Sequence, residues 1–198
     1  MNIKSKSKTN YFTTQEIVFI TTMVAFDIGV GMFLKPLLGL TGITAFIRID
    51  MILPLTIIFF TRKWIGKVGT IFVYEFLWAL AASFVMPMSF DTPGILKLLP
   101  AFIFALVFEL LYYYLPKKMN INIWGAALLG SVINQFSLIG IKILLGFPFL
   151  NIVKISFIIQ TITIFFVAVF AVILSNILDK KFNRKQFSLL YRDIQLNK

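Results

Sequence analysis

Nine ionisable side chains interrupt otherwise apolar stretches of the sequence: Glu16, Asp27, Arg48, Asp50, Glu75, Lys97, Glu109, Lys142 and Lys154. A charge at the centre of a bilayer costs roughly 2.5–3.5 kcal/mol on insertion scales, so each of these groups should face protein, water or a bound molecule. Following the direction of each apolar run, the four cations (Arg48, Lys97, Lys142, Lys154) share one half with Asp27 and Asp50. Glu16, Glu75 and Glu109 fall in the opposite half. Two of the four cations then have no carboxylate to meet. An apolar pocket with a few convergent charges is the usual form of a small-ligand site, and surplus positive charge in low dielectric favours an anionic solute.

Uncharged groups extend this candidate site. Asn134, Gln135 and Gln160 can each donate and accept, which suits a heteroaromatic or amide-bearing solute, and Trp78 and Tyr74 could stack on its ring. Two other readings stay open: Lys97, Lys142 and Lys154 could snorkel to headgroups, and the amides could bond between helices. On a helix, Arg48 and Asp50 point about 200° apart, so each needs its own partner. Asp27 is a candidate for Arg48, leaving Asp50 to a lysine.

What is missing narrows the chemistry. With no His and no Cys there is no imidazole base, thiolate nucleophile, disulfide or His/Cys zinc site. No phosphate-binding G-x-x-x-x-G-K-[ST] loop occurs, so ATP-driven work needs a partner. An enzyme alternative would use Asp27 and Asp50 as a carboxylate pair, but the G-x-G-D, G-x-S-G and H-E-x-x-H patterns of membrane proteases are absent. We therefore expect a binding protein without catalytic residues, metal or cofactor.

These residues must be positioned by helices in lipid. Of 198 residues 59% are hydrophobic and only 14% charged, too few polar groups to coat a water-soluble surface. Runs of about 20 apolar residues occur at roughly 14–34, 43–61, 68–88, 93–115, 122–146 and 149–177. The expected fold is an all-α polytopic bundle of six transmembrane helices over 14–177, with a segment 1–13 before it and a basic tail 178–198 after it. The tail is open between an interfacial helix on anionic lipid and a frayed end. With both termini in the cytoplasm, fourteen of the nineteen basic residues lie inside, as the positive-inside rule favours. The net charge of +11 thus records orientation in the cell membrane, and nucleic acid is not an expected partner.

Thr21, Ala25 and Gly29 repeat every four positions, as do Ala126, Gly130 and Asn134, and such small faces let helices approach closely. The second set reads as internal contact; the first could meet another membrane protein.

Taken together, the layout resembles the substrate-binding S component of energy-coupling factor (ECF) vitamin transporters. The stretches that carry the resemblance are Ile47-Arg48-Ile49-Asp50-Met51-Ile52-Leu53-Pro54, Lys63-Trp64-Ile65-Gly66-Lys67-Val68-Gly69 and Thr92-Pro93-Gly94. It implies high-affinity uptake of a vitamin-like micronutrient from outside, in a pocket covered by a first outer loop at about residues 35–42. It also implies a transmembrane coupling protein and two ATPase subunits as partners. The family's alanine pair on the first span corresponds to Ala25 and Gly29, the latter a departure that keeps the small face. A self-sufficient secondary transporter is the alternative, although no internal repeat is evident.

Overall fold

The structure, a computed structural model, describes residues 11–40, 47–85, 94–116, 121–146 and 155–182. Helix α1 covers Thr14–Leu40, α2 Ile52–Ile65, α3 Thr70–Val85, α4 Leu98–Tyr114, α5 Ile121–Leu144 and α6 Ile155–Lys181. Short 3-10 turns at Ile49–Met51 and Gly94–Lys97 lead into α2 and α4. No strand occurs among the described residues. The protein is an all-helical bundle.

Among the described residues four stretches, 14–38, 94–114, 121–144 and 158–181, are long and apolar enough to cross a membrane. With 14 residues, α2 is shorter; at about 1.5 Å per residue it reaches roughly 21 Å, against a hydrocarbon core of about 30 Å. In α2 the cause is local. Within the described residues 47–65 of the second apolar run the α-helix starts at Ile52, because Arg48 adopts φ −81° and ψ 47° and residues 49–51 form a 3-10 turn.

The helix ends follow from side-chain and glycine chemistry. Thr13 and Glu16 form a reciprocal cap on α1: the Thr13 N–H donates to Glu16 Oε2 at 2.8 Å and the Glu16 N–H to Thr13 Oγ1 at 3.3 Å. Residues 35–40, expected in a loop, continue α1 through Pro36. A helix pairs most backbone groups of the run Phe33-Leu34-Lys35-Pro36-Leu37-Leu38 internally, losing only the bond that the Pro36 nitrogen cannot donate, which a loop in apolar surroundings cannot match. Gly66 stops α2 at φ 73°, its N–H donating to the Arg62 carbonyl at 3.0 Å.

Consecutive helices run back and forth, so their ends gather in two groups. Near one end, Lys67 of the α2–α3 turn meets Glu16 of α1 at 2.6 Å, and Lys63 of α2 donates to Ser175 (3.3 Å) and Asn176 of α6. The Phe60 ring packs on Phe182, just past α6, at 6.1 Å. Both ends of the described chain therefore lie at this end of the bundle. At the other end, Ser83 near the close of α3 donates to the Gly94 carbonyl at 2.9 Å. Between them lies a core in which Phe59 of α2 stacks on Phe108 of α4 at 5.4 Å, with Ile71, Tyr74, Ala126 and Ala127 buried around them.

Arg62, a residue whose sequence position suggested only a cytoplasmic flank, is 2% exposed inside this bundle. Its Nη2 lies 3.1 Å from Glu109 Oε2, and its Cζ sits 4.2 Å from the Tyr112 ring centroid. Glu109 and Tyr112 share a face of α4, three residues apart. Glu109 Oε1 also accepts the N–H of Ile71 at 3.0 Å, so one carboxylate joins α2, α3 and α4. Removing one member of a buried pair typically costs about 3–5 kcal/mol, whereas replacing both by apolar groups can be nearly neutral. Arg62→Met should therefore lower the thermal unfolding midpoint in detergent more than Arg62→Met combined with Glu109→Leu; equal or greater loss in the double variant would contradict this account of the bridge.

Candidate functional site

At the end of the bundle away from Arg62, the 3-10 turn before α2 brings a cation to the mouth of a cavity. The space between the helices amounts to about 660 Å³ counted out into the solvent at its open mouth. Its walls come from α1, α2, α3, α4 and α5. Met51, Pro54, Leu55, Ile58, Phe104 and Leu138 make most of the lining apolar, and Asp27, Arg48, Glu75, Trp78, Lys97 and Asn134 supply its polar and aromatic groups. Lys97 is 2% exposed and Arg48 9%, so neither extends into bulk solvent.

The arginine is held by neighbours rather than by Asp27 alone. Arg48 Nε contacts Asp50 Oδ1 at 3.3 Å and Nη1 donates to Gln135 Oε1 at 3.2 Å. Gln135 in turn donates through Nε2 to Gln160 Oε1 at 3.1 Å, carrying the chain from the start of α2 across α5 to α6. Here the sequence expectation is corrected: Arg48 and Asp50 do share a contact. The 200° separation applies to an α-helix, and residues 48–51 are not in one. Asp27 accepts a 2.9 Å hydrogen bond from the Tyr74 hydroxyl, both groups being buried. Tyr74 is thus engaged with a carboxylate inside the core instead of offering its face to a ring.

Of the expected binding residues, Arg48, Trp78, Lys97 and Asn134 line the cavity. Gln135 lines a smaller adjoining hollow of about 250 Å³ together with Arg48, Asn134 and Ser131. Asp50 and Gln160 stand one hydrogen bond behind, bracing Arg48 and Gln135. Lys142 is half-buried in the last turn of α5 and does not line either space; Lys154 lies outside the described residues. Asp91, Thr92 and Pro93 lie outside them too, as do residues 1–10 and 183–198.

Sequence reasoning placed Glu75 in the opposite half, yet it lines the same cavity as Arg48 and Lys97. The depth of a residue along a run does not show how far a neighbouring helix end dips, and α2 begins late enough for the cavity to reach Glu75. The signal that could have found it is the three-residue spacing of Glu75 and Trp78, which puts both on one face of α3. Among the described residues the charged lining is consequently two cations, Arg48 and Lys97, and two carboxylates, Asp27 and Glu75. Ser131 was also missed; its buried hydroxyl has no hydrogen-bond partner among the described residues.

The two small-residue faces separate cleanly. Gly130 is buried against α4, where an added Cβ would lie 3.4 Å from Phe104 and 3.7 Å from Phe108, and Ala126 is fully buried. Thr21 and Ala25 are exposed, and a Cβ at Gly29 would meet nothing within 4 Å. The α1 face is open along its length.

No protein-family model, curated protein or solved structure matches this chain. The site is therefore characterised by its geometry: a buried, half-open, mostly apolar chamber with charges of both signs and one indole.

Overpacking a close helix contact costs about 1–3 kcal/mol, whereas exposed changes usually stay within about 0.5 kcal/mol. Gly130→Leu should lower the thermal midpoint clearly and Gly29→Leu should leave it almost unchanged. Equal loss in the two variants would show that the α1 face is packed after all.

Proposed function

We propose that this chain is the membrane-embedded binding subunit of an uptake system for a vitamin or related micronutrient, sitting in the cell membrane as a multi-pass protein. The observation that carries this reading is the chamber itself. Its lining is mostly apolar with a few convergent polar groups, and Arg48 and Lys97 are buried in its wall where they can recognise an acidic group. Arg48 is preorganised by Asp50 and Gln135, so little conformational freedom is lost when a solute arrives.

The energy for uptake comes from elsewhere, because the sequence has no phosphate-binding loop. A separate transmembrane coupling protein with two ATPase subunits would supply it. The open α1 face around Ala25 and Gly29 is the surface we assign to that coupling protein, since small residues permit close helix approach where no internal neighbour occupies the space. The resemblance of the Arg48–Pro54 and Lys63–Gly69 stretches to ECF substrate-binding subunits supports the same assembly.

Two measurements test the reading. The purified chain should carry a small molecule identifiable by mass spectrometry, or gain thermal stability with a member of a vitamin panel; no ligand at micromolar concentration would contradict it. Tagged wild-type chain should retain a membrane coupling protein and its ATPases on purification, and Gly29→Leu should lose them while keeping solute binding. Uptake by the isolated chain in proteoliposomes, without any ATPase, would instead establish a self-sufficient transporter.

A further inference from the structure

The three carboxylates that the sequence sets apart from Arg48 have different fates. Glu16 meets Lys67 at 2.6 Å and Glu109 meets Arg62 at 3.1 Å. Glu75 is 7% exposed, yet it makes no hydrogen bond or ion pair among the described residues. It lies in the wall of the large cavity, so its carboxyl group can be reached by a bound molecule.

The surroundings indicate what such a molecule would bring. The lining is mostly apolar, and a buried carboxyl group in such a place is costly until something donates to it. Its neighbour Tyr74 points its hydroxyl at Asp27. Trp78, one helical turn along α3, lines the same cavity. A carboxylate and an indole on one helix face together suit a cationic nitrogen: the carboxylate accepts a charge-assisted hydrogen bond and the ring attracts the cation through its π face.

Resting on the binding-subunit reading, we propose that Glu75 is a substrate-binding residue and that the solute carries a protonated amine or cationic nitrogen heterocycle. Arg48 and Lys97, delivered from the starts of α2 and α4, take an acidic group on the same molecule. The solute is therefore amphoteric, with its basic nitrogen toward α3.

The test measures binding of a fixed set of probes to the full chain in detergent, by thermal shift and by isothermal titration. Thiamine and pyridoxamine represent solutes with a basic or cationic nitrogen, pyridoxamine 5′-phosphate represents amphoteric solutes, and biotin and pantothenate represent acids without a basic amine. The tightest binder should come from the first two groups, and Glu75→Gln should weaken it about tenfold or more, as expected for loss of a charge-assisted hydrogen bond. If biotin or pantothenate binds tightest and Glu75→Gln holds it within about twofold, the assignment of Glu75 is overturned while the binding-subunit reading stands. If no probe binds, that reading falls and the assignment falls with it. Should Glu75→Gln fail to fold, the ranking of probes on the wild-type chain decides between the first two results.

Discussion

Arg62 is wedged between Glu109 and the face of Tyr112 in a region where water cannot reach it, and much of the bundle is arranged around that fact. A guanidinium taken out of water must find a counter-charge and donors' partners within the protein, or the helices that bury it cannot close. Glu109 supplies the counter-charge, while Arg62 Nε and Nη1 make no hydrogen bond among the described residues, and it also accepts the first-turn N–H of Ile71, so the ends of α2 and α4 and the beginning of α3 are drawn to one point. Lys63 toward α6 and Lys67 toward α1 tie the same region outward. The bundle is closed by charge at this end.

The opposite end solves the same problem differently and remains open. Arg48 is braced by Asp50 and by a run of amides through Gln135 to Gln160, yet it still lines a chamber shared with Lys97, Asp27 and Glu75. Closing one end and hollowing the other would suit the proposed binding of a small solute: rigidity where the helices are anchored, and preorganised polar groups around the open chamber. The short α2 makes room for this. An α-helix continuing through residues 47–51 would carry Arg48 on a regular face and remove the turn that aims it.

The helical fold was legible because lipid-compatible runs are long and repetitive, and the helices at 94–114 and 121–144 lie close to the runs that announce them. The site was legible where chemistry is unusual for its surroundings: Arg48, Lys97, Trp78 and Asn134 stand out in apolar sequence and meet in space. It was obscured where tertiary geometry overrides register. Arg48 and Asp50 touch because a 3-10 turn replaces α-helix, Arg62 is swallowed by the bundle despite a flanking position, and Glu75 reaches the chamber from a depth that sequence assigned elsewhere. The two small-residue stripes look alike in sequence; only the neighbours of Gly130 and the empty space beside Gly29 tell them apart.

The central claim is that a solute enters the chamber between Arg48, Lys97 and Trp78, and the three tryptophans of this chain allow it to be read directly. In a variant carrying Trp64→Phe and Trp124→Phe, Trp78 is the only indole left. Titrating the solute that stabilises the protein should change the emission of Trp78 along a saturable curve with the same midpoint as the stabilisation. A flat Trp78 signal, with the solute still stabilising the protein, would place the ligand elsewhere and contradict the account.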